Sequence, residues 1–504
     1  MPIISFQQTL NKPLEKVVGN ADYTTELRFI DAYDRFLRDS GLEKSLVTKW
    51  IQKGAARKAA SDKAAGRCPK DLTFKEIGNL RAEAILALRS SILRKYTNSS
   101  YREMAKLLSI APLYQDFCGI SRFHKIRVPG KSRLQRLENE LDEEIIQELN
   151  TKLLSYIQNN SGRNQAIDLP ETIELSDCYF DTFCLKTNIH YPIDWLLFRD
   201  TTRTIMLAVK RIRKHGICNR MAKSCESYMS EMNALCIRMT HSSRQNKKKQ
   251  YKNCFRKMRD LAREAVNHGH LHLKKLKKNK AKTDLTDKQI QQIRLQITGI
   301  SSQFDKVVHQ AHERIIGERQ LKTKDKILSL YEDGVNVIVR KKAGAAVEFG
   351  NKASLMEQKN GLIVDWALSK DGSPSDFNLT RESYDRVTEK FGAVKSLTGD
   401  RGCASKRNAN HIQKRGTYNA LCPKSVDEMQ DRLKEPRFCS LQKRRASTEA
   451  RISILQKFTG EKLRCKGYDH RKQQLGLCVF VHNLWRISKM AIEYDRAKKL
   501  KTAS

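Results

Sequence analysis

Three acidic residues, Asp181, Asp400 and Glu449, stand where a phosphodiester-cutting site would use them. Two Mg²⁺ ions about 3.5–4 Å apart must be charge-compensated by several converging carboxylates while each keeps positions open for phosphate and nucleophile. Asp181 lies in an apolar stretch between Phe180 and Phe183, an expensive place for an unpaired charge. Asp400 closes the run Ser396-Leu-Thr-Gly-Asp400 and precedes Arg401-Gly402, so its carboxylate is expected at the end of a strand, before a tight turn. Glu449 follows Ser447-Thr448, a context in which it also reads as a capping-box or first-turn acid of a helix. On spacing alone each of the three reads first as a structural acid. A second cluster, His268, His270 and His272, has no cysteine or acid at finger spacing beside it, and reads as a polar helix end near Gly269 rather than a zinc site.

The elements that must hold these residues are short apolar runs. Leu175 to Leu185, Val335 to Val339, Ala345 to Phe349, Leu362 to Ala367, Ser396 to Asp400 and Gly416 to Leu421 read as strands, punctuated by the turn dipeptides Asp333-Gly334 and Asn360-Gly361. Ala446 to Phe458 reads as a helix. Between Pro192 and Pro374 there is no proline, and that stretch is expected to be mostly helix. Ile290, Ile293, Ile297, Ile300, Phe304, Val307 and Ala311 repeat at steps of three and four, the seam of a coiled coil. Its partner is either an antiparallel helix from residues 220–270 or a second subunit. The fold class is therefore α/β with large all-α parts: a sheet interrupted by a long helical insertion.

Upstream, residues 51–66 are Ala- and Lys-rich without apolar periodicity, and read as a basic linker or frayed helix. From Leu72 onward short helices follow one another. Asn98-Ser-Ser-Tyr-Arg-Glu103 offers an N-cap and Pro129-Gly130 a break, a pattern that suits a helix-turn-helix-like DNA-binding unit or a plain helical bundle.

Composition narrows the partner. Lys and Arg number 96 against 56 Asp and Glu, a formal net charge of +40, which calls for a polyanion and makes nucleic acid the leading candidate. The excess is densest in residues 201–300, where 25 basic residues face 6 acidic ones. Lys247, Lys248 and Lys249 form one run there, and Lys274, Lys275, Lys277 and Lys278 another; with so few acids interspersed, contact with a phosphate backbone is the better reading than a merely solvated face. The segment Met1 to Glu15 does not resemble a signal peptide, no run is long enough to span a membrane, and the 13 cysteines, without a Cys-x-x-Cys pair, read as reduced thiols.

Five ordered motifs add a family. Asp181-Thr-Phe-Cys-Leu-Lys-Thr-Asn-Ile-His-Tyr-Pro-Ile-Asp194 closely resembles the first acidic motif of a group of bacterial and archaeal insertion-sequence transposases of the DDE class, in which a strand-borne Asp-Thr is followed by Thr-Asn-Ile-His-Tyr-Pro-Thr-Asp. Ala345-Ala-Val-Glu-Phe-Gly350 and Thr398-Gly-Asp-Arg-Gly402 look like that group's Val-Glu-Phe-Gly segment and second acidic motif. Ser447-Thr-Glu-Ala-Arg-Ile-Ser453 and Val481-His-Asn-Leu-Trp485 resemble its third motif and closing helix. Ser100-Tyr-Arg-Glu-Met104 and Asp116-Phe-Cys-Gly119 look like its N-terminal region, so the similarity runs from about residue 85 to 490. The chain departs from the group at Ile193, and reads Gln456-Lys457 where the group has a lysine one or two turns after the glutamate.

The resemblance implies an RNase H-like mixed sheet and a Mg²⁺- or Mn²⁺-dependent DNA endonuclease and strand transferase with two ions per site. Asp181, Asp400 and Glu449 would be both the catalytic residues and the metal ligands. His190, Arg401, Arg445 and Lys457 become candidate DNA contacts, Arg445 one helical turn before Glu449. The implied partners are duplex DNA, as terminal inverted repeats and target, and further copies of the chain; no small-molecule cofactor and no membrane are expected, and the implied location is a prokaryotic cytoplasm, at the nucleoid. The alternative is an inactive transposase-derived DNA-binding protein. The expected division is an N-terminal segment and basic linker (1–70), a helix-turn-helix-like region (71–165), a catalytic domain (166–204 and 330–492), a basic helical insertion (205–329) and a basic tail (493–504).

Overall fold

The computed structural model describes residues 19–120, 127–241, 247–322, 325–342, 345–460, 462–463 and 465–503. The expectation about Met1 to Glu15 lies outside them. The N-terminal half is helical: α1 (Ala21–Asp39), α2 (Leu42–Ala64), α3 (Phe74–Tyr96), α4 (Tyr101–Ile110), α5 (Pro112–Phe117), α6 (Lys131–Asn139) and α7 (Glu143–Asn160). Ser100 caps α4, accepting from the Glu103 N–H while the Glu103 carboxylate accepts from the Ser100 N–H, so the predicted N-cap is a full capping box.

Of the two readings of 51–66, linker or frayed helix, the structure has the helix: residues 51–64 are the second half of α2, and it is packed rather than frayed. Leu42, Leu46 and Trp50 form a buried stripe at helical spacing. The next position of that stripe is Gly54, where a Cβ would lie 2.5 Å from the Leu80 Cδ1 of α3. A glycine at the helix crossing breaks the apolar pattern in the sequence while tightening the packing in the fold. Residues from α1 to α7 share one core with the sheet and with the C-terminal helix, so residues 19–70 are part of the main body rather than a separate leading segment.

After the short pair β1 (Ser161–Gly162) and β2 (Ile167–Asp168) comes β3 (Asp177–Lys186), the central strand of a six-stranded mixed sheet. Its partners are β4 (Asn336–Lys342), β5 (Ala345–Gln358), β6 (Ile363–Leu368), β7 (Ser396–Gly399) and β8 (Tyr418–Leu421). The order is β4-β5-β3-β7-β8, with β6 also paired to β5; β5 is antiparallel to β3, β4 and β6, whereas β7 and β8 run parallel to β3. The chain makes its parallel crossings through α12 (Asp376–Phe391) and α13 (Lys406–Gln413), then adds α14 (Val426–Arg432), α15 (Pro436–Thr459) and α16 (Tyr468–Ala503). Every expected strand is present. The expected basic tail at 493–504 is not separate: α16 continues through it to Ala503.

Between β3 and β4 the chain builds a bundle of α8 (Asp194–Lys214), α9 (Cys225–Thr240), α10 (Lys247–Lys278) and α11 (Asp287–Ile315) with its own core. It begins at Asp194, within the stretch expected to belong to the sheet domain. The isoleucine seam is answered within the chain. Ile293, Ile297, Ile300, Phe304, Val307 and Ala311 are buried against α8 and α10, so the seam is not an open subunit contact. Gly269 marks the closest approach, since a Cβ there would meet Ile205 Cγ2 at 2.8 Å and Ile297 Cγ2 at 3.2 Å. That position is mid-helix, which corrects the expected helix end; His272 is buried, with its Nδ1 2.7 Å from the His268 carbonyl oxygen, and burial lowers its pKa.

Candidate active site

Strand register brings the first two acids together. In the parallel pair, Tyr179 of β3 stands opposite Thr398 of β7. Carried two residues further, that register would bring Asp400, just past the end of β7, beside Asp181, and the Asp400 charge does act on the Asp181 carboxyl. Across the antiparallel pair, Tyr179 faces Glu357 and Asp181 faces Leu355. The face that carries Asp181 is therefore the face that carries Glu357.

Glu357 is 1% exposed, and it docks α15. Its Oε1 accepts from Arg444 at 3.1 Å and from the Thr448 hydroxyl at 2.8 Å, and its Oε2 accepts from Arg451 Nε at 3.1 Å. Arg444, Thr448 and Arg451 form one helical stripe, and the Arg444 guanidinium also lies 4.7 Å from the Tyr179 ring centroid. Nearer the start of α15, Gln442 donates to the carbonyls of Gly399 at 3.3 Å and Ala420 at 2.6 Å, tying the helix to the ends of β7 and β8. With that stripe fixed on the sheet, the next one, Arg445 and Glu449, is turned toward the acids. The helix starts at Pro436, so Glu449 is a mid-helix residue and not the capping acid that Ser447-Thr448 suggested.

The electrostatics register the convergence. Burial pushes the Asp181 carboxyl up from 3.8 to about 6; the Thr182 N–H, which donates to its Oδ1 at 2.7 Å, opposes the rise, Asp400 adds to it, Arg445 opposes it and Glu449 adds to it. Asp400 Oδ1 accepts from the Cys403 N–H and thiol, both at 3.1 Å, and burial followed by Asp400 raises that thiol's pKa well above its usual value.

Among the described residues Asp181, Asp400 and Glu449 have no ion pair. Several other acids in and around the sheet are matched, whereas Asp177 of β3 accepts from the Ser396 hydroxyl and has no ion pair among the described residues. Glu357 has Arg444 and Arg451, Asp365 has Arg386, Asp376 has Lys352 at 2.7 Å, and Asp194 has Arg314. Three oxygen donors of the hard, anionic kind, one of them holding a raised pKa, are chemically suited to a divalent cation. They are electrostatic neighbours rather than a preformed chelate: among the described residues no group of three His, Cys, Asp or Glu already surrounds a common ion position.

The other expected contacts are dispersed. Arg401 is exposed on the turn after Asp400, and Lys457 is exposed two turns beyond Glu449 on α15. Arg445 faces the acids, its Nε donating to Gln442 Oε1 at 3.2 Å. His190 is exposed on the loop between β3 and α8, where its electrostatic neighbour is Asp200. Lys247, Lys248 and Lys249 open α10, Lys248 pairing with Glu318 at 2.8 Å. Lys274, Lys275, Lys277 and Lys278 are exposed at its other end, where cations also suit the helix dipole. The two runs are about 45 Å apart along the helix.

Sequence reasoning missed Glu357, Gln442 and Asp376. Asp376 opens α12 and accepts from the Thr182 hydroxyl at 2.8 Å, and a Cβ on Gly402 would sit 2.8 Å from its Oδ2 and 3.2 Å from Asp400 Oδ1. The absent side chain at Gly402 lets the Asp400 turn close onto α12. Nothing in the local sequence of any of the three announces a role, since each acts through a partner far along the chain. No family model, curated protein or solved structure matches this chain.

Proposed function

We propose that the chain is a DDE-type transposase that cuts DNA at the ends of a mobile element and joins them to target DNA. The observation that carries this reading is the contrast in charge pairing. In a chain with a net charge of +40, the buried acids Asp194, Glu332, Glu357 and Asp365 each have an arginine, yet Asp181, Asp400 and Glu449, the three positions matched to the family's acidic motifs, have no ion pair among the described residues, and the charges of the other two act on Asp181. A structural carboxylate in such surroundings gains from an arginine; an unpaired set is what a metal-dependent site requires.

The topology is compatible. An antiparallel part, here β3 to β6, followed by two parallel strands, with the first strand at the centre, is akin to the arrangement expected of an RNase H-like sheet, and here the helical bundle is inserted between β3 and β4. Asp181, Asp400 and Glu449 would hold the ions, which when bound supply charge neutralisation at the phosphodiester and an activated oxygen nucleophile. The chain's own contributions are positional. Glu357 and Gln442 fix α15 so that Glu449 faces the strand acids, Arg445 presents a guanidinium to a phosphate beside them, and the basic faces of α10 attract the duplex.

The test is strand cleavage of element-end DNA with Mg²⁺ by the full chain and by Asp400→Ala and Glu449→Ala. Each substitution is expected to abolish cleavage while leaving duplex binding within a few-fold of the parent. Retained cleavage by either variant removes that residue from the site.

A further inference from the structure

Three arginines from two helices converge on the turn between β5 and β6. Arg444 Nε donates to the Lys359 carbonyl at 2.9 Å and its terminal nitrogens reach Glu357 and the Gln358 carbonyl. Arg486 of α16 donates through Nε to the Asn360 carbonyl at 2.7 Å. Arg451 packs over Gly361, where an added Cβ would lie 2.4 Å from its Cζ; that glycine has φ +85° and no side chain to hold the guanidinium off. Among the described residues Glu357 is the acid that pairs with them, and Glu493, whose charge also acts on Arg486, is shared with Lys489 at 3.7 Å. His482, buried beside them, is held neutral, its pKa lowered to about 3 by burial first and then by Arg451. The cluster therefore has an excess of positive charge.

The hydrogen-bond inventory says where the excess points. Arg444 has spent all three of its nitrogens on the protein. Arg451 has spent Nε on Glu357, and Arg486 has spent Nε on Asn360; among the described residues the terminal nitrogens of both have no acceptor. Neither residue contributes a fully sealed, unpartnered nitrogen among the described residues, so these four groups keep some contact with solvent. Two half-buried guanidiniums, anchored by Nε and free at their forked ends, form a preorganised acceptor for a tetrahedral oxyanion. Burial, then Arg451, lowers the pKa of Arg486, as expected where cations are crowded without a counter-charge.

We propose that Arg451 and Arg486 form a phosphate-binding site at the Lys359–Gly361 turn that takes a backbone phosphate of the bound DNA. The position fits a strand crossing the carboxylate face. Glu357, which anchors Arg451, stands opposite Tyr179, two residues or about 7 Å along β3 from Asp181. The proposal rests on the reading of that face as the DNA-cutting face, and it adds a second fixed point that orients the strand over the acids.

The test is duplex binding by the full chain at a series of NaCl concentrations, for the parent, Arg486→Gln and Arg486→Lys, with circular dichroism to establish that each variant is folded. Arg486→Gln is expected to weaken binding by about tenfold, equally for unrelated sequences, and to reduce the slope of log K against log salt by about 1, while Arg486→Lys restores most of both. An unchanged slope and affinity in folded Arg486→Gln overturns the proposal. If the parent fails to bind duplex DNA at all, the transposase reading falls with the DNA part of the proposal. Thermal melting in inorganic phosphate against chloride of equal ionic strength then decides the site itself: stabilisation of the parent but not of Arg486→Gln supports a site for free phosphate, and equal behaviour of the two overturns it.

Discussion

Asp181→Asn is expected to make the metal-free protein more stable at neutral pH while destroying its activity. The carboxyl is raised from 3.8 to about 6 on folding, by burial first and by the Asp400 and Glu449 charges. A folded-state pKa above the unfolded one means that the native state binds the proton more tightly. The native state is then penalised progressively as pH rises from about 4 through about 6, and the penalty is complete above that. The size of the rise corresponds to about 3 kcal/mol, an upper figure because the group is only partly buried. Asparagine is close in shape to the protonated acid and carries no charge. The difference in stability between Asp181→Asn and the parent should therefore be near zero at pH 3, reach about 1 kcal/mol at pH 4.5, grow to about 2–3 kcal/mol in favour of asparagine by pH 7.5, and remain flat beyond. Chemical denaturation at several pH values in EDTA measures it, with the variant-minus-parent difference isolating this one group from every other titration in the chain. Added Mg²⁺ should stabilise the parent and not the variant. A variant less stable than the parent at pH 7.5, or a difference that does not change with pH, would refute the claim that Asp181 is an uncompensated charge.

Two further outcomes follow from the bundle. Duplex binding by the full chain should weaken steeply with salt, because residues 201–300 carry 25 basic and 6 acidic residues. If both lysine runs of α10 touch one duplex, protection should extend over about 13 base pairs, the span of about 45 Å divided by the helical rise; a flat salt response would sink backbone tracking. Ile297→Lys with Ile300→Lys should unfold the bundle rather than separate subunits, since both side chains are buried within the chain and burying two lysines costs several kcal/mol. Loss of helical signal by circular dichroism is the expected readout, and a fully folded monomer would show the seam to be a subunit contact after all.

The strands were legible because each is an apolar run bounded by turn residues, and Gly334 and Gly361 take positive φ at the predicted turns. Local chemistry was enough there. The helix α2 was legible only as one of two readings, and its packing was not, since Gly54 interrupts its buried stripe for the benefit of Leu80, a contact made across the turn to another helix. The coiled-coil seam was legible as a seam but not as to partner, for the same 3–4 spacing packs equally well on α8 and α10 or on another chain. Glu449 shows the limit most sharply. Ser-Thr-Glu reads as a capping sequence wherever it occurs, and only the continuation of α15 back to Pro436 removes that reading.

What places the third acid is a contact with no sequence signature. Asp181 and Asp400 are brought into the same neighbourhood by the pairing of β3 with β7, which ends just before them, but Glu449 belongs to a helix that could lie on the sheet at several rotations. The choice is made by Glu357. A carboxylate buried at that depth requires cations, and α15 supplies Arg444 and Arg451 with Thr448 between them. A rotation of α15 by one residue, about 100°, would strand Glu357 without partners, at a cost of about 3–5 kcal/mol, and would also carry Glu449 away from Asp181. The paired acid thus fixes the geometry of the unpaired ones. The same sheet face holds one carboxylate that is fully compensated and rigid beside others that are left uncompensated, and the second condition can persist only because the first holds the helix in place.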